Sequence, residues 1–375
     1  MIVNRNTKVL LVALFLAAIW LPLTVTLLAP PAKVSEVEKR QLAEFPALRW
    51  DSSLLTDFPR EFENYYNDHF GLRRKLIHWF NRIQVQWLGI SVSEQVLVGR
   101  KGWLFQNGVK HVADKRNTWP LSPGMLGRWS DVLSAKHEWL KQQGIDYLFV
   151  IAPSKHTVYP EFLPNAINQV YPISRADQLV DHLRAHSTIP LLDLRPRLRD
   201  AKKTRRVHHL TDTHWNDYGA YVGYREIVKH LNAQGHEVPG VLLAEKDFID
   251  RVGPGGDLAQ MLDMRDELTE TYIEPARPVT RCAESHDLEP EATDTDRFRE
   301  DFTTTCLDAP PYRLLVFRDS YALALMPYLS ESFAHIRYVP SSPASMRGMK
   351  EIVREYQPDI VIEERASRWL RTPEG

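Results

Sequence analysis

Asp146-Tyr147-Leu148-Phe149-Val150-Ile151, running into Ala152-Pro153-Ser154-Lys155-His156, decides the fold. The run is continuously apolar rather than alternating, as in a strand covered on both faces of a parallel sheet. It ends in a polar loop. A helix over 123–143 leads into it through Gly144, and the unit then recurs. A helix over 175–185 precedes a strand over 189–193. A helix over 215–231 follows, then strands and helices alternate at 314–317, 321–330, 335–339, 345–356 and 359–363. This alternation predicts an α/β domain with a mostly parallel sheet. Ligands of such sheets bind beyond the strand C-termini, so Lys155, His156 and Ser320 are expected on one rim. Ahead of the sheet, Val96 to Phe105 reads as a hairpin turning at Arg100-Lys101-Gly102. Residues 55–87 carry apolar side chains at three- and four-residue steps and predict two helices broken at Gly71.

Two stretches carry chemistry. Thr211-Asp212-Thr213-His214-Trp215 sets a carboxylate two residues before an imidazole. Val316-Phe317-Arg318-Asp319-Ser320-Tyr321 ends a predicted strand with a serine. Together they hold a nucleophile (Ser320), a base (His214) and an orienting acid (Asp212). Backbone N–H groups following Ser320 lack intrahelical partners and are oxyanion donors in this reading. The competing readings are structural: Ser320 as a helix cap, and Asp212 as the cap of the helix near Trp215. His208, His209, Asp212 and His214 are also conceivable metal ligands. No second ligand pair accompanies them, so no metal is expected. Lys155, Tyr159 and Arg365 are candidate donors near the rim, with a structural role the preferred reading for each, and Asp257 in Gly255-Gly256-Asp257-Leu258 reads as a loop turn. No GxSxG, HExxH, GxxxxGK[ST] or GxGxxG pattern occurs, and no cofactor is expected.

From Val9 to Ala29 the chain carries no charge. About 20 apolar residues span a bilayer core of ~30 Å. Arg5 and Lys8 precede them, which places the short N-terminus in the cytoplasm and the remainder outside. A cleaved signal peptide is the alternative, although its apolar region is ordinarily shorter, at about 7–15 residues. In an oxidising compartment Cys282 and Cys306, which flank an acidic loop, are expected to pair. The pairing would stabilise the fold by about 3 kcal/mol; two free thiols are the alternative. A formal charge of −1 gives no reason to expect nucleic acid as a partner.

Six segments in order resemble the alginate-type polysaccharide O-acetyltransferases, relatives of the SGNH hydrolases. They are Glu38-Lys39-Arg40-Gln41-Leu42-Ala43-Glu44-Phe45-Pro46, Phe62-Glu63-Asn64-Tyr65-Tyr66-Asn67-Asp68-His69-Phe70-Gly71-Leu72-Arg73 and Gly99-Arg100-Lys101-Gly102-Trp103-Leu104-Phe105. Ala152-Pro153-Ser154-Lys155-His156-Thr157-Val158-Tyr159-Pro160, Asp212-Thr213-His214-Trp215-Asn216 and Asp319-Ser320-Tyr321 complete them. The resemblance implies an SGNH-like three-layer α/β sandwich with a permuted triad, in which Asp212 and His214 precede Ser320. Where the family typically has Gly-Asp-Ser, this chain has Arg318-Asp319-Ser320, so Arg318 adds positive charge near the site.

The resemblance further implies an acetyl-serine intermediate and an exopolysaccharide acceptor. It implies a membrane acyltransferase as acetyl donor and other polysaccharide-export proteins as partners. The chain would sit in the bacterial inner membrane by a single pass, with its catalytic domain in the periplasm. Tyr321, Arg318, Trp215 and Lys155 are then candidates for oxyanion or substrate contacts. The expected organisation is a cytoplasmic tail (1–8), a transmembrane anchor (9–29), a stalk (30–50) and one SGNH-like domain (51–375) whose helical lead-in covers 51–95. Some relatives carry a C-terminal carbohydrate-binding module; none is expected after the last predicted strand. An acetyl-esterase using the same three residues, or a non-catalytic polysaccharide-binding assembly subunit, are the alternatives.

Overall fold

The computed structural model describes residues 5–28, 34–35, 40–48, 56–286, 300–340 and 344–373. It divides into two compact units, Met1–Trp87 and Leu88–Gly375. Ten of the 21 residues read as a stalk (30–50) lie outside the described residues.

In the first unit α1 (Arg5–Leu28) is a helix of 24 residues, long and apolar enough to cross a bilayer. Helices α2 (Phe58–His69) and α3 (Arg73–Arg82) follow. They are separated at Phe70-Gly71-Leu72, where Leu72 adopts a left-handed φ of 66°. Asp68 accepts the Ala43 N–H at 2.8 Å and His69 Nε2 lies 2.9 Å from Ala43 O. Phe45 packs edge-on to Tyr65, with ring centroids 5.1 Å apart. Two of the quoted N-terminal segments therefore meet.

Among the described residues the second unit holds eleven strands. These are β1 (Val96–Val98), β2 (Leu104–Gln106), β3 (Asp146–Ala152), β4 (Leu191–Asp193), β5 (Phe248–Pro254) and β6 (Thr269–Pro275). The rest are β7 (Glu284–His286), β8 (Phe302–Thr305), β9 (Arg313–Phe317), β10 (His335–Val339) and β11 (Ile360–Ala366). Seven form one sheet in the order β4-β3-β11-β9-β10-β8-β7. The first five run parallel, with Val316 opposite both Ile362 and Tyr338. β8 and β7 are antiparallel additions at one edge.

The continuous apolar run of β3 is explained by its two coats. Leu148, Val150 and Ala152 face one core, which includes Ala220, Tyr224, Ile227 and Leu231 of α6 (Asp217–Ala233). Tyr147, Phe149 and Ile151 face the other, with Trp129, Leu133 and Leu140 of α4 (Pro123–Gln142) and Leu179 and Leu183 of α5 (Arg175–His186). Met349 and Val353 of α7 (Met346–Tyr356) complete that side. The result is the α/β domain that the strand–helix alternation predicted, arranged as the three-layer sandwich that the resemblance implied, with a mixed sheet of which five strands run parallel.

The antiparallel edge was not legible. β7 is three exposed polar residues, and β8 is Phe-Thr-Thr-Thr with only Phe302 and Thr304 buried. Cys282 and Cys306 sit beside these strands and are joined by a disulfide, their Cα atoms 5.0 Å apart. The acidic residues between them, Asp287 to Asp296, lie outside the described residues. The helix expected over 321–330 is instead a 3-10 turn (Ser320–Leu325) followed by one α-turn (Met326–Leu329). Pro327 lacks the N–H that would carry an α-helix through this point.

One buried ion pair ties a helix to the sheet. Lys136 Nζ of α4 donates to both carboxylate oxygens of Glu363 on β11, at 2.9 and 2.7 Å, and Tyr147 Oη donates to Oε2 at 2.9 Å. Both charged side chains are 1% exposed. Lys136→Met alone strands a carboxylate in the core, and the expected cost is about 3–5 kcal/mol. Lys136→Met with Glu363→Gln is expected to recover part of it. Chemical denaturation of the three proteins checks this; equal stabilities would contradict it.

Candidate active site

The 207–216 segment folds back on itself. His208 and Trp215 form an antiparallel bridge, His209 N donates to His214 O at 3.2 Å, and Asn216 N donates to Val207 O at 3.2 Å. Asp212 and His214 occupy the tip. The Asp-x-His spacing now has a local explanation. Asp212 Oδ1 accepts the His214 backbone N–H at 2.9 Å, an Asx turn. The same oxygen lies 2.9 Å from His214 Nδ1. The helix cap that competed for Asp212 is supplied by Asn216, whose Oδ1 accepts the Gly219 N–H at 2.9 Å.

Ser320 follows β9 at the carboxyl ends of the parallel strands. Asp319 fixes the turn: Oδ1 accepts from Tyr321 N and Oδ2 from Ala366 N, both at 2.8 Å. Asp319 N donates to Glu364 Oε2 at 3.1 Å. Glu364 is buried, and burial together with the charge of Asp319 raises its pKa well above the usual carboxylate range. The nucleophile candidate is thereby bolted to the end of β11.

Two cross-ties bring the loops together. Trp215 Nε1 donates to Tyr321 O at 2.9 Å, and Tyr321 Oη donates to Thr213 O at 3.0 Å. His214 Nε2 consequently lies 2.8 Å from Ser320 Oγ. A carboxylate can only accept, so Nδ1 carries the imidazole proton and Nε2 is the acceptor facing the hydroxyl.

The charges suit this arrangement. For Asp212, burial opposes the charged form, but the hydrogen bond and charge of His214 outweigh it and hold its pKa well below the usual range. For His214, burial again opposes the charge. The hydrogen bond and charge of Asp212, then the charge of Asp257, outweigh it and raise the imidazole above its ordinary value. A fixed anion, an imidazole of raised basicity and a hydroxyl therefore stand in line, the chemistry of proton abstraction from an oxygen nucleophile.

The four residues expected to touch oxyanion or substrate each have partners within the protein. Trp215, Tyr321, Arg318 and Lys155 are all buried. Trp215 and Tyr321 make the cross-ties just described, and the Tyr321 N–H is taken by Asp319 rather than left for an oxyanion. Arg318 Nη2 donates to Glu300 O at 3.0 Å, and its guanidinium lies over Phe302. Lys155 Nζ donates to Leu104 O and Leu210 O, at 2.6 and 3.0 Å, and burial pushes its pKa down to about 7. Trp215 and Tyr321 thus brace the site from inside, and Tyr321 and Lys155 also line a small recess with Thr213.

His156 is likewise inward, 3.0 Å from Asp114. Tyr159 Oη accepts the Val207 N–H at 2.9 Å, and Arg365 is buried. His208 donates Nε2–H to Pro153 O at 3.1 Å, and burial keeps it neutral. Asp212, His214 and Asp257 bring ligand atoms within 4.8 Å of one another, but both nitrogens of His214 are already engaged by Asp212 and Ser320. A cavity of about 350 Å³ opens at the strand ends, lined by His156, Thr157, Arg199, Lys202 and Ser367 among others.

Sequence reading missed Arg368. Its guanidinium stacks on Tyr321 at 4.9 Å, and it lines a small recess with Thr213 and Tyr321. Only its place two residues beyond β11 marks it, and a strand end is visible in the sequence only to within a few residues.

A family described as the SGNH hydrolase-like domain of acetyltransferase AlgX matches residues 96–297. The probable alginate O-acetylase AlgJ of Pseudomonas aeruginosa is 25% identical over 231 residues, covering 60% of this chain and 55% of that protein. The chain thus matches about half the length of that relative. The probable alginate O-acetylase AlgJ of Azotobacter vinelandii is 24% identical over 321 residues, covering 82% of this chain and 78% of its own. Among solved structures, Bacillus cereus PatB1 superposes with a TM-score of 0.54 at 18% identity, over 73% of this chain and 95% of that one. The O-acetyltransferase domain of Pseudomonas putida AlgJ gives a TM-score of 0.47 at 20% identity, over 75% and 93%. With its family match spanning more than half of its residues, the chain belongs to the AlgX-type SGNH hydrolase-like acetyltransferase domain family.

Proposed function

We propose that this chain is a membrane-tethered O-acetyltransferase that carries an acetyl group on Ser320 and delivers it to a hydroxyl of an exopolysaccharide. The observation behind the reading is the unbroken relay from Ser320 Oγ to His214 Nε2 (2.8 Å) and from His214 Nδ1 to Asp212 (2.9 Å). Family membership and the probable alginate O-acetylases among the relatives support the acetyl group and the polysaccharide acceptor.

In the first step His214 Nε2 takes the Ser320 proton as Oγ attacks the donor carbonyl. The imidazolium then returns that proton to the departing group, leaving acetyl-Ser320. In the second step His214 takes the proton of an acceptor hydroxyl, whose oxygen attacks the acetyl carbonyl; the bond from that carbonyl to Ser320 Oγ breaks and the imidazolium returns the proton to Oγ. Asp212 keeps the imidazole in the required tautomer and stabilises its cation. The Ser320 N–H opens the 3-10 turn, so it has no partner within that turn, and we assign it to the developing oxyanion.

Tethering is read from α1, and Arg5 and Lys8 at its start support a periplasmic location for the larger unit. The disulfide suits that oxidising compartment. A membrane acyltransferase is the donor of acetyl groups in this scheme. The esterase alternative uses the same residues: His214 and Asp212 keep 28% and 22% of their side-chain surface exposed, so water reaches them.

Full-length protein incubated with an activated acetyl ester and candidate oligosaccharides is expected to form an acetyl adduct that moves to sugar. Ser320→Ala is expected to abolish the adduct and to lower acetyl turnover at least about 10³-fold. Release of acetate alone would indicate an esterase; no adduct on folded wild type would favour a binding subunit.

The pH dependence has a defined sign. The base acts as neutral imidazole, and its pKa is raised, so activity is expected to fall as pH drops through a value above the ordinary ~6.5. The acid limb of kcat/KM measures this. A limb below that value would contradict the Asp212–His214 pairing.

A further inference from the structure

Asp257 lies beside the relay without being part of it, in a Gly255-Gly256-Asp257 turn wrapped around the 211–214 tip. Gly256 N donates to Thr211 Oγ1 at 2.9 Å, and Leu258 N and Ala259 N donate to Thr211 O at 3.1 and 3.2 Å. Asp257 N donates to Asp212 Oδ2 at 3.0 Å. In return Asp257 Oδ1 accepts the Thr213 N–H at 2.7 Å. A Cβ on Gly256 would fall 2.4 Å from Asp212 Cβ, so only glycine allows this approach.

These contacts would hold a loop turn with Oδ1 alone, and an asparagine would serve as well. The second oxygen has another address. Asp257 Oδ2 lies 4.0 Å from His214 Nδ1, beyond hydrogen-bond distance but close enough for its charge to act. His214 thus sits between two carboxylates: one bonded to it, the other alongside. About a third of the Asp257 side chain reaches solvent, which hydrates its charge next to Asp212.

We propose that Asp257 is a positioning residue for the Asp212–His214 pair: Oδ1 fixes the turn, and Oδ2 stabilises the imidazolium formed when Ser320 gives up its proton. The catalytic half of this inference rests on the acyl-transfer reading above; the electrostatic half does not.

Burial and the charge of Asp212 raise the pKa of Asp257, while the charge of Asp257 in turn raises that of His214. The other groups facing the cluster are Arg368 from beyond β11, Lys155 from beyond β3, His208 and His209 ahead of the tip, Glu270 and Tyr272 on β6, and Arg206, which pairs with Glu270. Arg368 opposes the cation on His214, and the charge of Asp257 works against that opposition.

The test uses the full-length chain in detergent, labelled with ¹⁵N-histidine, with the His214 signals assigned by their loss in His214→Gln. Asp257→Asn keeps an acceptor for Thr213 N–H and removes the charge. Its His214 titration midpoint is expected to fall by about one pH unit. The acid limb of kcat/KM for Ser320-dependent acetyl release should move down with it, and kcat should drop roughly tenfold with the donor KM within about twofold. Asp257→Glu, which keeps the charge, should recover at least half of the midpoint shift. An unmoved midpoint and limb in folded Asp257→Asn would overturn the proposal and leave Asp257 a loop turn. If Asp257→Asn fails to fold, Asp257→Ser, which retains a small acceptor, takes its place under the same criteria. A wild type lacking Ser320-dependent turnover would defeat the acyl-transfer reading, while the imidazole titration would still decide whether Asp257 acts on His214.

Discussion

The carboxylate of Asp212 is the constraint on which the site depends. Its two oxygens accept three N–H groups: the backbone and Nδ1 of His214, and the backbone of Asp257. Those bonds set the turn, the ring orientation and the tautomer together. A hydrogen bond to an ionised acceptor is roughly twice as strong as a neutral one, and three on one carboxylate outweigh the burial that opposes its charge. Without that anion the Nδ1 proton would have no acceptor, and Nε2 would no longer be pledged to Ser320.

The sheet supplies the other half of the geometry. Ser320 and His214 are separated by 106 positions yet meet at 2.8 Å. Parallel strands deliver Ser320 to their carboxyl ends, and Asp319 fastens it to Ala366 at the end of β11. Trp215 and Tyr321 then lock the two loops, the indole donating to Tyr321 O and the phenol to Thr213 O. Aromatic side chains whose polar ends are satisfied inside a core give a stiff link. This rigidity suits a site in which a misplacement of one ångström costs far more than any single contact contributes.

Much of this was legible in the sequence, and the exceptions share a cause. β3 announced itself because a strand coated on both faces must be apolar at every position. Asp-x-His and Asp-Ser were visible because their bonding is local: Asp212 reaches two residues forward, and so does Asp319. The burial of Trp215, Tyr321, Arg318 and Lys155 was not legible because residue type does not reveal it; a tryptophan beside a candidate base reads equally as a sugar platform or as core. Lys155 shows the difficulty best, since a lysine after a strand usually reaches solvent, whereas here its ammonium is held by two backbone carbonyls. β7 and β8 escaped because short polar edge strands carry no hydrophobic period. Arg368 escaped because its importance comes only from the register of β11 against β9.

The central claim is that Ser320 is activated by His214. A small sulfonyl fluoride, which reacts with activated serines, tests it without knowledge of donor or acceptor. Peptide mapping of the labelled full-length protein should place the adduct on Ser320 alone, and His214→Gln should slow its formation by at least about 100-fold. Labelling that is absent from folded wild type, falls on other residues or is indifferent to His214 would contradict the account.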